Sequence, residues 1–439
     1  MKQQKIFFDF LRFCIGSESE IPSSLKEADW KVLYRIAQKQ CLVGILFDGI
    51  QKLPPAEVGM SKDLLLQWMM QCQMLEKANV SLNDAAIQVS EWFRKKGFRT
   101  CILKGQGNAL LYPNGLHRTP GDIDIWVEGG DKRVISFVRS ISPHEKACYH
   151  HIEFPSYKGV EVEVHYRPSF LLCYWHNRKL QKYYERVKEE QFSHRVMLGE
   201  QGEIAIPTAE FNLIFQLTHI YAHLMNEGIG LRQLLDYYFV LCDFYKVDQN
   251  FSNPSVSLSK GSSTFSPSPS SSGSGDVTAL RCSEPLRYKD GGASKPSPGC
   301  AGWDRLEMSG EMSSDCAGAS SAVAHSSFAA LDRVQKELKE LGLWKFAGAI
   351  MYIMQEVFGM PASRLIVPPN EKYGRFVLNE VLEAGNFGKH DARNRFGKSK
   401  LGHNLQRVYR DMRLVRYFPA EALCEPLFRV WHFFWRKSR

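Results

Sequence analysis

The stretch Leu103-Lys-Gly-Gln-Gly-Asn-Ala-Leu-Leu-Tyr-Pro-Asn-Gly-Leu-His-Arg-Thr-Pro-Gly-Asp-Ile-Asp-Ile-Trp-Val127 decides how this chain is read. The apolar residues 100–103 predict a strand running into a turn that carries Gly105 and Gly107, and residues 122–127 predict a second strand with strict alternation. Side chains alternate across a strand, so Asp122 and Asp124 point to one face. Two carboxylates side by side repel each other and resist burial unless a cation lies between them. Such hard oxygen ligands suit Mg²⁺, or Mn²⁺, with water and substrate phosphates completing the shell.

A third acidic residue is expected from another strand. In Val160-Glu-Val-Glu-Val-His-Tyr166, Glu161, Glu163 and His165 share one face and the three valines the other. A Gly-rich turn, an Asp-x-Asp strand and a later acidic strand make a two-metal phosphoryl-transfer layout. Taken alone, the residues also allow a phosphohydrolase using the same carboxylates, or a non-catalytic nucleotide- or RNA-binding module. The mundane reading, that Asp122 caps a turn after Pro120-Gly121 and Asp124 faces solvent, is weakened by the company these residues keep: Lys104-Gly105 and Arg118 before them, Val-Glu-Val-His after.

In this order the motifs resemble the DNA polymerase β-type nucleotidyltransferase superfamily. Within it, Leu-Lys-Gly followed by Leu-Tyr-Pro, an Arg, Gly-Asp-Ile-Asp-Ile and a late Val-Glu-Val-His-Tyr-Arg resemble the uncharacterised bacterial nucleotidyltransferase family. The likeness is dense from about Thr100 to Arg167. Two departures from the wider pattern stand out: Lys104-Gly105 stands where Gly-Ser or Gly-Gly is common, and Glu163 where Asp is frequent. The resemblance implies a metal-dependent enzyme that moves a nucleoside monophosphate from a nucleoside triphosphate such as ATP to an RNA, protein or small-molecule acceptor, releasing pyrophosphate. It implies Asp122, Asp124 and Glu163 (Glu161 in reserve) as metal ligands and catalytic groups. Main-chain N–H groups at Gly105 and Gly107 would cradle phosphates, Lys104 and Arg118 would neutralise the leaving pyrophosphate, and His165 would orient a carboxylate or contact the acceptor. A helix His followed by Leu231-Arg-Gln-Leu-Leu-Asp-Tyr is similar to a further family pattern, which would bring His223, Arg232 and Asp236 to the cleft.

The chain has 439 residues, 44% of them hydrophobic and 12% aromatic, enough for a sizeable core. A formal charge of +9 permits a phosphate-bearing partner without demanding one. Eleven cysteines without a Cys-x-x-Cys pair argue against a disulfide framework or a zinc ribbon and fit a reducing compartment. The first residues lack the pattern of a signal peptide, and no run of about 18 apolar residues occurs, so a cytoplasmic protein without a membrane span is expected.

Residues 1–96 space their apolar groups as helices, with one expected over 64–74, capped by Ser61, and another over 78–96. Residues 97–207 mix periods of two and three to four, as an α+β core does, with a hairpin turn expected over 155–159. Helix returns at 208–249, where the spacing of His219 and His223 places both on one face. Residues 250–327 are rich in Ser, Gly and Pro and are expected to be a disordered insertion between neighbouring helices. Residues 328–439 are again helical. Their basic stretch 389–416, with interleaved aromatics, is the expected contact for RNA if there is one, although an ordinary solvated helix face has the same composition. The aromatic tail 427–435, followed by Arg-Lys-Ser-Arg, is expected to be a terminal helix docked on the core, and a membrane-surface helix has the same composition. The expected fold is thus α+β: a small mixed sheet flanked by N- and C-terminal helical regions.

Overall fold

The computed structural model describes residues 2–55, 58–200, 202–252, 317–393 and 400–438. The chain begins with four helices, α1 (Lys2–Ile15), α2 (Trp30–Gln40), α3 (Val43–Gln51) and α4 (Lys62–Lys95). Asp29 starts α2 by accepting from the N–H groups of Lys31 and Val32, and Ser61 starts α4 by accepting from Leu64. Where two helices were expected over 64–96, α4 is continuous for 34 residues. The residues that join them, Leu75-Glu-Lys-Ala78, favour helix and contain no breaker. The result is a rod of roughly 50 Å.

A mixed four-stranded sheet follows, made of β1 (Thr100–Leu103), β2 (Ile123–Val127), β3 (His151–Tyr157) and β4 (Val160–His165) in the order β1-β2-β4-β3. β2 runs antiparallel to β1 and parallel to β4, while β3 and β4 form an antiparallel hairpin. Its turn is shorter than expected: only Lys158 and Gly159, both at positive φ, lie between the strands. β3 therefore runs through Pro155. A sheet-edge strand tolerates proline, and the pairing shifts register between Phe154 and Tyr157. Two short connectors, α5 (Gly105–Ala109) and α6 (Gly130–Ile141), leave β1 and β2.

Strand alternation gives the sheet two different faces. Ile102, Ile123, Ile125, Val127, Val162 and Val164 pack against the C-terminal half of α4 and against α6. The opposite face carries Leu103, Asp124, Trp126, Glu163 and His165 and turns toward the larger helical body. That body begins with α7 (Tyr174–Ser193), a hairpin of β5 (Arg195–Leu198) and β6 (Gly202–Ala205) that the sequence reading did not anticipate, α8 (Ala209–Asn226) and α9 (Leu231–Ser252). The single helical run expected over 208–249 breaks at Gly228 and Gly230, where an added Cβ would lie 3.2 Å from the backbone of Gly388 and 3.0 Å from that of Asn386.

The C-terminal part comprises α10 (Ala317–Glu340), α11 (Trp344–Phe358), α12 (Glu371–Ala384), α13 (Lys400–Leu414) and α14 (Pro419–Lys437). α9 and α10 pack against each other, so the helices on either side of the Ser/Gly/Pro-rich stretch are neighbours. The expectation of a disordered insertion falls, over 253–316, outside the described residues, while its edges at 250–252 and 317–327 are helical. The N- and C-terminal helices share one hydrophobic core. Gln40 ties them together by donating to Val381 O and accepting from Leu231 N–H. The fold is α+β, a small mixed sheet flanked by helices. Among the described residues no helix is long and apolar enough to cross a membrane.

Candidate active site

The polar face of the sheet forms the floor of a cleft of about 640 Å³ whose walls come from α5, α8, α9, α13 and α14. That volume suits a nucleotide-sized ligand. The parallel register sets Asp124 directly beside Glu163, and Asp122 stands one residue before β2 begins. One carboxylate oxygen from each of Asp122, Asp124 and Glu163 lies within 4.8 Å of the other two. The three residues expected as ligands are therefore brought together.

Both oxygens of Asp124 are also engaged by internal cations. Lys104 Nζ lies 2.9 Å from Oδ2, and His165 Nε2 lies 2.9 Å from Oδ1. Lys104 reaches inward because its backbone, at φ 53°, turns the chain abruptly from β1 into α5, a conformation that non-glycine residues seldom adopt. Its Nζ also contacts His219 Nε2 at 3.0 Å. His165 further touches Glu163 at 3.4 Å, and His151, opposite His165 on β3, lies 3.2 Å from the same carboxylate.

These contacts divide the acids. The charge of Asp124, aided by burial, pushes Asp122 up to about 6 against the pull of Lys104. Asp124 itself is held far below the usual carboxylate range: burial opposes this, but Lys104 and His165 outweigh it. Glu163 is lowered in the same way by His165 and His151 despite its burial. Burial alone would lower His165, yet its bonds to Asp124 and Glu163 raise it to about 9. His151 is driven down to about 4, chiefly by burial. Burial, with neighbouring cations adding, also keeps His150 and His219 well below the ordinary histidine value. The site thus holds three carboxylates, an inserted lysine and one charged and three neutral imidazoles at neutral pH. Hard oxygen donors converging on one point fit a divalent cation, which would take over the role that Lys104 and His165 perform at Asp124.

The loop that delivers Asp122 is fastened from below. Asn79 of α4 donates to the carbonyls of Leu116 and Arg118 at 2.7 and 2.8 Å, and His117 bridges Asp48 and Glu76. Gly44 leaves no room for a side chain, since an added Cβ would sit 2.1 Å from His117 O. Arg232 donates to the carbonyls of Thr119 and Pro120.

Other expected residues are placed differently. Arg118 lines the cleft, but its guanidinium is committed: Nε and Nη2 each donate to Asp236 at 2.8 Å, and Tyr112 adds a third bond to that carboxylate at 2.7 Å. It therefore fastens the loop to α9. Gly107 faces away from the cleft, where an added Cβ would meet Ile206 at 3.1 Å; it permits close helix packing. Gly105, at φ +38°, lines the cleft. Glu161 is exposed at the far end of β4, away from the cleft, because the register opposite β2 begins one residue later, at Val162. His223, Arg232 and Asp236 all border the cleft, as does His219, whose ring stacks edge-on with His223.

The basic stretch is partly internal. Arg393 and Arg413 both bind Glu380, and Arg410 donates to Asn226 O. Lys389 and Arg407 line the cleft, together with Arg429 of α14. Residues 394–399, within the same stretch, lie outside the described residues. Sequence reasoning treated His151 only as a strand residue. The Lys158-Gly159 turn alone would pair His151 with Tyr166; the register shift between Phe154 and Tyr157 sets it opposite His165, and no motif in the sequence announces that shift.

Comparison with curated proteins and with solved structures returns no match. A family model described as uncharacterised nucleotidyltransferase matches residues 26–250, just over half of the 439 residues, and spans the sheet, the three acids and the Arg118–Asp236 pair. The chain belongs to this family of uncharacterised nucleotidyltransferases.

Proposed function

We propose that the protein transfers a nucleoside monophosphate from a nucleoside triphosphate to an acceptor hydroxyl or amine and releases pyrophosphate. The observation that carries this reading is the convergence of Asp122, Asp124 and Glu163 on one point of the cleft floor, beside Gly105 and Lys104. Asp122, Asp124 and Glu163 would hold Mg²⁺ or Mn²⁺, which when bound supplies charge neutralisation at the triphosphate and polarises the α-phosphate.

The chain's own groups do the rest. Asp124 orients the site, and Lys104, released from it, neutralises charge developing on the departing pyrophosphate. Lys389, Arg407 and Arg429 line the cleft and would attract the triphosphate. As the acceptor attacks, its oxygen or nitrogen forms the new bond to the α-phosphorus while the bond to the bridging oxygen of the β-phosphate breaks. Glu163 takes the acceptor's proton, and His151, neutral and 3.2 Å away, relays it outward. The basic residues at 389 and 407 favour an anionic ligand in the cleft, and they leave the acceptor class, whether RNA, protein or small molecule, to experiment.

Incubating the full chain with each α-labelled nucleoside triphosphate, Mg²⁺ and cell extract tests the reading. Label should appear on one acceptor class with equimolar pyrophosphate, and should be absent with Asp124→Asn. Release of inorganic phosphate without label transfer would establish a phosphohydrolase instead.

A further inference from the structure

A second group of ligand atoms converges away from the cleft floor, where two helices begin. Cys173 caps the start of α7 and His176 lies in its first turn, while Glu421 and Cys424 lie near the start of α14. Residues three apart on a helix share a face, so Cys173-x-x-His176 and Glu421-x-x-Cys424 each present a pair of donors. One ligand atom from each of Cys173, His176 and Glu421 lies within 4.8 Å of the others. His176 Nδ1 is 3.7 Å from Glu421 Oε1, and Cys424, three residues beyond Glu421 on the same face of α14, interacts electrostatically with the Cys173 thiol.

Both Glu421 and Cys173 are buried, at 3% and 8% exposure. A carboxylate at that depth needs partners. Its Oε2 accepts from the N–H groups of Leu172 and Cys173, which fixes the plane of the carboxylate and leaves Oε1 directed toward His176. This is how outer contacts orient a metal ligand. Two thiols, an imidazole and a carboxylate are the donors of a tetrahedral zinc site, and sulfur disfavours Mg²⁺ and Ca²⁺.

We propose that Cys173, His176, Glu421 and Cys424 bind a structural zinc ion that clamps the start of α14 to the start of α7. The ion closes a link between residues about 245 positions apart in sequence and stabilises the native state by cross-linking it. The clamp also bears on the cleft, because the next turns of α14 place Glu425, Phe428, Arg429 and His432 in its wall.

The full chain, expressed in zinc-containing medium and purified without chelator, tests this by metal analysis and thiol titration after denaturation. The expected result is about one zinc per chain and all 11 thiols reactive. Zinc affinity should fall at least about tenfold in Cys173→Ser/Cys424→Ser and stay unchanged in Asp124→Asn. Cobalt(II) added to chelator-stripped wild type should give thiolate-to-cobalt charge-transfer absorption, a readout that stands even if the double variant does not fold. Four results would each overturn the site: wild type without zinc and without that absorption; two missing thiols traced to a Cys173–Cys424 disulfide; undiminished zinc in the folded double variant; or loss of zinc in Asp124→Asn.

Discussion

Two buried acid–base clusters lie close together in this protein, and they are built on opposite terms. Around Asp236, one carboxylate meets one guanidinium through two bonds of 2.8 Å, and a tyrosine hydroxyl supplies the third. Charge and hydrogen-bond capacity balance. Around Asp124, three carboxylates crowd within 4.8 Å, and Lys104 and His165 compensate only part of their charge. Asp122 is left with a raised proton affinity. A balanced pair is what a fold needs to hold a loop, whereas an acidic excess in a cleft is what a cation-dependent reaction needs. The same stretch of chain thus carries one cluster whose charges are paired and another left with an excess of acid, the one to which the proposed reaction assigns function.

Substitutions should separate the two. The largest effect is expected from Asp124→Asn, with kcat lowered roughly 10³-fold or more, the scale of a lost electrostatic stabiliser, while the circular dichroism spectrum is retained. Next, Arg118→Met should destabilise the protein by about 3–5 kcal/mol in urea unfolding, because Asp236 would remain buried and unpaired. A stable Arg118→Met protein with abolished turnover would reverse the roles assigned to the two clusters.

Asp122 sharpens the contrast through pH. Its proton affinity is raised on folding, so the native state binds more protons than the unfolded chain between about pH 4 and about 6, and the favourable contribution present at low pH is lost as pH rises through about 6. In metal-free protein, Asp122→Asn should therefore increase stability by about 3 kcal/mol at pH 8 and have little effect near pH 4, as measured by thermal melting. Added Mg²⁺ should shrink the gap by stabilising wild type. The smallest effect is expected from Arg407→Ala, which should raise KM for the triphosphate about two- to fivefold and flatten its dependence on salt, with kcat little changed.

How much of this the sequence disclosed follows from the range of the interactions. Asp122, Asp124 and Glu163 were legible because period-two alternation assigns a face without knowledge of the rest of the fold, and the parallel register then set Asp124 beside Glu163. The α+β class was legible for the same reason. Arg118 looked like a phosphate ligand because its partner lies 118 residues away on α9, and no local pattern announces that bond. Lys104 was placed in the site by the motif, but its contacts with Asp124 and His219 depend on a backbone turn that propensities disfavour. His151 was not legible because a register shift between Phe154 and Tyr157, which no local pattern announces, sets it opposite His165. The basic stretch seemed a surface feature, yet Arg393 and Arg413 turn inward to Glu380, a partner visible only once α12 and α13 are packed.

The most direct measurement of the central claim is Mn²⁺ binding, followed by electron paramagnetic resonance with a non-hydrolysable nucleoside triphosphate present, in wild type, Asp124→Asn and Arg118→Lys. Nucleotide-enhanced Mn²⁺ binding in wild type and Arg118→Lys, lost in Asp124→Asn, is the predicted result. Equal binding in wild type and Asp124→Asn would contradict the account and remove the acidic cluster from the reaction.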